Sequence, residues 1–164
     1  MKVIKWLDNY FEEVLLVIMC AIMACIMMLQ VIMRYVFGNS LTWSEELTRF
    51  IFIWSAFLSI SYCIRKNLSV RITLVVDALP GKAKYIMLMV VDVISIILFA
   101  YLIPFANTYL QTTISNGQLS SAMQIPLWII YCSPLIGFIL SVIRSVQSLV
   151  MNFNAMQKVG KSEA

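Results

Sequence analysis

Apolar runs long enough to cross a bilayer recur along this chain, separated by short polar stretches. From Val14 to Met33 there is no charge, and Gln30 is the one amide before Arg34 and Tyr35 mark an interface. Similar runs occupy residues 43–64, 83–110 and 126–150. A bilayer core about 30 Å thick takes about 20 apolar residues in helical form. The pattern therefore predicts an all-α integral membrane protein with four transmembrane helices over residues 14–36, 43–64, 83–110 and 126–150, plus short amphipathic interfacial helices. Residues 1–164 then form a single membrane domain.

The connecting stretches have characters of their own. In residues 1–13, Ile4, Trp6, Leu7, Tyr10 and Phe11 recur at roughly helical spacing among charges. That suits either an amphipathic segment lying on the membrane or the first turns of span one. Between Arg65 and Lys84, the cations Arg65, Lys66, Arg71, Lys82 and Lys84 face Asp77 alone, with Val70, Ile72, Leu74, Val75, Val76 and Leu79 among them. Too few apolar residues to span, they fit a surface helix ended by Pro80 and Gly81. A strand there would leave an open edge at lipid depth. Residues 107–124 carry no charge and are rich in Thr, Ser, Asn and Gln, with a turn at Gly117, so an exposed loop is expected. Pro126 suits the first turn of span four.

With 62% hydrophobic and 12% charged residues, the composition lies outside the range of soluble domains, and four spans leave too little chain for a separate one. Lys2 and Lys5 are followed by Asp8, Glu12 and Glu13 and then by a run without a cleavage pattern, so the first run is expected to stay as a helix. Lys2, Lys5, Arg65, Lys66, Arg71, Lys82, Lys84, Arg144, Lys158 and Lys161 fall on one side of a four-span topology, and Arg34 and Arg49 on the other. That bias predicts both termini in the cytoplasm, N-in and C-in.

Several chemistries are missing. With no His, a bis-histidine haem anchor is excluded and a zinc site lacks its commonest ligand. Cys20, Cys25, Cys63 and Cys132 all fall in apolar runs without a C-x-x-C spacing, which reads as small packing residues rather than disulfides or a redox centre. No nucleophile and base pair up, the first span has no carboxylate, and inverted repeats with broken helices are not apparent. No catalytic, cofactor or metal residues are assigned, and no nucleic acid is expected. A membrane protein that supports another protein remains.

The specific chemistry gathers in residues 39–71. Thr42 and Glu45 have the spacing of a capping box. Glu45 and Glu46 suit a helix N-terminus, and Arg49 follows at the distance that pairs with either. The cluster either only ends a helix, or binds a partner, since Trp43 is an interfacial anchor and Arg49 opens a span at some cost. Small residues recur every fourth position at Ser55, Ser59 and Cys63 and at Ser133, Gly137, Ser141 and Ser145, with a further patch at Cys20, Ala21, Ala24 and Cys25. Such stripes let helices approach closely, although they also occur in ordinary membrane composition. The candidate partner interface is therefore Trp43, Glu45, Glu46, Arg49, Ser55, Ser59, Ser133, Gly137 and Ser141. Asp92 lies about 12 Å into span three at 1.5 Å per residue. Neutralisation by Arg144 is the expected pairing, with ion coupling as the alternative.

These residues resemble the small membrane subunit of tripartite ATP-independent periplasmic (TRAP) transporters. The resemblance rests on Arg34, Tyr35, Val36 and Phe37, then Ser40, Leu41, Trp43, Glu45, Glu46, Arg49 and Trp54, then Arg65, and finally Ile125, Pro126, Trp128, Tyr131, Pro134 and Gly137. The chain departs from the family at Ser69 and Thr73, where a His and an acidic residue are often found. The resemblance implies a subunit of a secondary transporter in a bacterial inner membrane. It implies a large membrane subunit carrying the substrate and sodium sites and moving by an elevator mechanism. It further implies a periplasmic binding protein delivering an organic acid, a sialic acid or a C4-dicarboxylate. The small subunit would brace the large one among membrane lipids and need no cofactor of its own.

The competing classes are a four-helix membrane anchor or thiol-redox enzyme subunit, which alkylation of the cysteines would disable, and a self-sufficient small transporter, which would import from liposomes unaided. For topology, a Cys probe placed by Ser69→Cys in a Cys-free background should be protected from an impermeant reagent added outside, and one placed by Ser115→Cys should be labelled. The reverse pattern overturns the orientation.

Overall fold

The computed structural model describes residues 2–66 and 82–162. Within them lie α1 (Lys2–Tyr35), α2 (Thr42–Lys66), α3 (Lys82–Ser115) and α4 (Trp128–Ser162). Four segments, Glu12–Tyr35, Thr42–Lys66, Lys84–Ser115 and Trp128–Gln157, are long and apolar enough to cross a membrane. The surface helix expected between Arg65 and Lys84, with Ser69 and Thr73, falls outside the described residues.

Three boundaries differ from the sequence pattern, each for a local reason. The N-terminal segment is continuous with the first span: α1 runs unbroken for 34 residues, since no Pro or Gly interrupts it. Residues 107–115, expected as loop, continue α3 to Ser115. Their hydroxyls turn back onto the helix, from Thr112 Oγ1 to the Thr108 carbonyl, Thr113 Oγ1 to Tyr109 and Ser115 Oγ to Thr112, at 2.9, 3.0 and 2.9 Å. Hydroxyls bonded this way stay compatible with helix inside lipid. Finally, α4 begins at Trp128 rather than Pro126, because Pro126 pairs with Leu119 in an antiparallel bridge.

That bridge belongs to a short hairpin. Ser120 N–H donates to the Ile125 carbonyl at 2.9 Å, and Leu127 N–H to Gln118 at 3.0 Å. Gly117 enters the hairpin with φ +57°, a conformation that ends helices cheaply only in glycine. Gly38, at φ +64°, does the same after α1, where Asn39 N–H reaches the Met33 carbonyl at 3.0 Å.

The chain forms two compact units, one of Met1–Ser59 with Ala106–Leu135 and another of Ile60–Phe105 with Ile136–Ala164. In the first, Tyr109 and Tyr131 meet edge to face with centroids 4.8 Å apart, and Leu58, Leu110 and Ile130 are the buried apolar residues. In the second, Phe99 and Phe138 stack at 5.8 Å. Elsewhere the buried positions are polar or small, among them Ser61, Asp92, Ser133, Ser141, Ser145, Ser148 and Asn152, while Val17, Met28, Ile97 and Met151 point outward. Lipid removes the reason to bury large apolar groups, so close approach of small residues holds such helices together. The apolar window of α4 is 28% buried, against 6% for α1 and α3, which marks α4 as the most enclosed helix of the chain.

Because Ser133 and Ser141 are 1% and 0% exposed, Ser141→Leu should lower stability in detergent by about 1–3 kcal/mol through overpacking. Ile97→Leu, on an exposed position, should change it by less than about 0.5 kcal/mol. Thermal unfolding midpoints of the two variants, compared with the native chain, check the contrast.

Candidate partner-binding surface

The first turn of α2 is organised differently from a capping box. Ser44, fully buried, donates from Oγ to the Leu41 carbonyl at 2.7 Å, and Thr48 Oγ1 donates to Ser44 at 2.8 Å. Glu45 does not fold back on its own helix. Its Oε1 accepts a hydrogen bond of 2.6 Å from Gln30 Nε2, which joins α2 to α1. Gln30 is 7% exposed, and its own Oε1 has no partner among the described residues. A carboxylate is the strongest acceptor available to a buried amide, so the solitary amide of span one has a structural use. Its isolation in an otherwise uncharged run was the sequence signal for it, but nothing local revealed its partner 15 residues on.

Glu46 turns to the hairpin instead. Its Oε2 accepts the backbone N–H groups of both Ala122 and Met123 at 2.9 Å, which pins the hairpin tip to the start of α2. Gln124, next in the tip, adopts φ 55°, an uncommon conformation for a residue other than glycine. Ser120, in the same hairpin, is 2% exposed. The hairpin contact joins positions 76 and 77 residues apart, beyond the reach of any spacing rule.

With both carboxylates engaged in this way, the expected three-charge cluster is not formed. Arg49 lies exposed on α2 and makes no ion pair with Glu45 or Glu46 among the described residues. Trp43 and Trp128 are 40% and 42% exposed. Of the small-residue stripes, Ser55 and Ser59 are half-buried, with hydroxyls closed onto the Phe52 and Ala56 carbonyls at 2.8 and 2.7 Å. Ser133, Gly137 and Ser141 are buried by this chain itself. They are packing residues within the subunit rather than part of its open surface. The reverse holds for Cys20, Ala21, Ala24 and Cys25, which lie exposed on α1. All four cysteines are free, with Cys63 also exposed and Cys132 half-buried.

The pairing of Asp92 with Arg144 is also corrected. Asp92 Oδ2 accepts hydrogen bonds from Ser148 Oγ at 3.0 Å and Asn152 Nδ2 at 2.9 Å. Arg144 donates from an η nitrogen to Gln147 Oε1 at 2.8 Å. On a helix, Arg144 lies eight residues from Asn152, about 12 Å along the axis. The polar residues nearer that end of α4 meet Asp92 first. Among the described residues no group of three or more His, Cys, Asp or Glu gathers.

A family described as "Tripartite ATP-independent periplasmic transporters, DctQ component" matches residues 23–155. The ectoine TRAP transporter small permease protein TeaB of Halomonas elongata is 24% identical over 93% of this chain and 79% of its own length. The sialic acid TRAP transporter small permease protein SiaQ of Vibrio cholerae is 26% identical over 96% of this chain and 88% of its own. The isethionate TRAP transporter permease protein DctMQ of Oleidesulfovibrio alaskensis is 29% identical over 90% of this chain, which spans only 24% of that longer protein. Most of the chain, with the last part of α1 from residue 23, the first turn of α2 and the hairpin, falls inside the family match. The chain thus belongs to the DctQ component of the tripartite ATP-independent periplasmic transporters, as a multi-pass inner-membrane small permease subunit and not an enzyme.

Proposed function

We infer that this subunit is the stationary brace of a TRAP importer for an organic acid, a sialic acid or a C4-dicarboxylate. It holds a large membrane subunit that carries the substrate and sodium sites, and a periplasmic binding protein delivers the substrate. The observation that carries this reading is Arg49, a cation on the apolar flank of α2 whose neighbouring carboxylates are committed to Gln30 and to the hairpin. A charge left without a local partner at the edge of a span is stabilised by one on a neighbouring protein. Exposed apolar residues along α1, including Val17, Met28 and Val31, and its open small-residue patch support a helix that another helix covers.

A fixed role is supported by anchoring. Trp43 and Trp128 present amphipathic rings that prefer headgroup depth, and the cations between Arg65 and Lys84 favour an anionic cytoplasmic surface by about 1 kcal/mol each. Carrying these through the bilayer would be unfavourable, so motion belongs to the partner. Substrate selection belongs there too: the small-permease relatives carry names for ectoine and sialic acid on closely similar lengths of chain.

Losing one member of a desolvated ion pair costs about 3–5 kcal/mol, whereas an exposed pair contributes roughly 0.2–1 kcal/mol. Arg49→Ala should therefore reduce recovery of the large subunit in mild-detergent co-purification and lower uptake in parallel. Native recovery and uptake would return Arg49 to a purely local role. Glu46→Gln should act on the hairpin instead, with faster hydrogen exchange at the Ala122 and Met123 amides; unchanged exchange there would remove the clamp. Crosslinking the subunit to an immobile part of its partner should leave uptake intact, and arrested uptake with retained substrate binding would exclude the brace.

A further inference from the structure

The turn between α1 and α2 carries the two most exposed large apolar side chains among the described residues. Tyr35 and Val36 are 80% and 72% exposed, and Phe37 follows at 67%. Arg34, just before them, is also exposed, and its guanidinium has no hydrogen bond or ion pair among the described residues. Three consecutive apolar residues placed this way are unfavourable in water, since each leaves apolar surface hydrated.

Depth decides what can cover them. The uncharged run from Val14 to Met33 is about 30 Å long at 1.5 Å per residue, the thickness of a bilayer core. Arg34 therefore falls at the edge of the hydrocarbon. The chain does not climb away from that level. Val36 N–H donates to the Ile32 carbonyl at 2.8 Å and Asn39 N–H to the Met33 carbonyl at 3.0 Å, with Gly38 at φ +64° making the reversal. The bond that closes back on Met33 keeps Tyr35, Val36 and Phe37 within about 5 Å, one helical turn, of the end of α1. The returning arm is held too, because Gln30, one turn before Arg34, donates to Glu45 of α2 at 2.6 Å. The three side chains are thus confined to headgroup depth, in a turn too short to stand clear of the membrane.

We propose that the α1–α2 turn binds a phospholipid of the leaflet it faces, with Arg34 on the phosphate and Tyr35, Val36 and Phe37 seated at the acyl boundary beneath the headgroups. A guanidinium takes phosphate through two parallel N–H donors. Such a cation beside apolar side chains suits a molecule that is anionic at one level and apolar a short way below. Trp43, 40% exposed on the returning helix, adds an amphipathic ring that prefers the same depth. The acidic residues that follow, Glu45 and Glu46, are engaged by Gln30 and by the hairpin amides, which leaves the Arg34 guanidinium to an outside anion. In the N-in orientation the leaflet is the outer one. The site fixes the height of the α1–α2 pair in the bilayer, and it stands whether or not another helix covers α1 deeper in the core.

The test uses the full-length chain, purified in mild detergent with whatever membrane subunit accompanies it and placed in nanodiscs of phosphatidylethanolamine and phosphatidylglycerol. A nitroxide is attached through Phe37→Cys after the native cysteines are replaced. Its collisions with oxygen should exceed those with an aqueous nickel chelate, as for a probe in lipid. Few collisions with either means that protein covers the turn, and a dominant chelate signal means that water does; both results overturn the site. For the headgroup, phosphatidylglycerol added to the lipid-depleted chain in detergent should raise the thermal midpoint saturably. Arg34→Gln should raise the half-saturating concentration several-fold, and Arg34→Lys should recover part of that loss. An unchanged half-saturation in Arg34→Gln, or an equal shift produced by inorganic phosphate, overturns the phospholipid assignment.

Discussion

In hydrocarbon, a polar side chain is stabilised only by the partners that its own protein supplies, because water is not there to replace them. That constraint governs what lies inside this subunit. Among the described residues the buried polar groups are serines, Thr113, Gln30, Asn152, Arg144 and the carboxylates of Glu12 and Asp92, beside Leu58, Leu110 and Ile130, while many bulky apolar residues face outward. Two of these polar groups become links between helices. Gln30 can lie in α1 because Glu45 of α2 accepts from it, and Asp92 can lie in α3 because Ser148 and Asn152 of α4 donate to it. Packing follows the same logic, with Ser133, Gly137 and Ser141 letting neighbours come close where larger residues would hold them apart.

The proposed bracing function draws on how these links are distributed. Both carboxylates at the head of α2 are used internally, one to tie two helices and one to hold a hairpin by its backbone. On the proposed reading the subunit thereby presents a preformed face to its partner, with the hairpin held to α2 and Arg49 exposed beside it. Preorganisation of this kind lowers the cost of association, since the contact surface need not be ordered when it binds. A brace gains by rigidity in a way that a moving element would not.

The polar seam of α4 is organised differently. In most of the chain the hydroxyls satisfy themselves within a turn, as at Ser55, Ser59, Thr112 and Thr113. Ser141 and Ser145 do not, although both are wholly buried.

By itself the sequence determined the membrane class, the number of spans and the family resemblance, because apolar run length is a local quantity set against a bilayer of known thickness. It also singled out Glu45, Glu46, Arg49 and Asp92, since a charge in or beside an apolar run is unusual wherever it points. What it did not reveal were their partners. Spacing along a helix suggested that Arg49 would pair with the two glutamates and Thr42 with Glu45, yet contacts with Gln30 and with Ala122 and Met123 prevail. Arg144 was the obvious match for Asp92 by charge, whereas Ser148 and Asn152 take that place. Local spacing ranks only the neighbours within a turn or two of a side chain. Which helices face one another, and at what height, decides the rest, and that choice is made by packing between residues far apart in the chain.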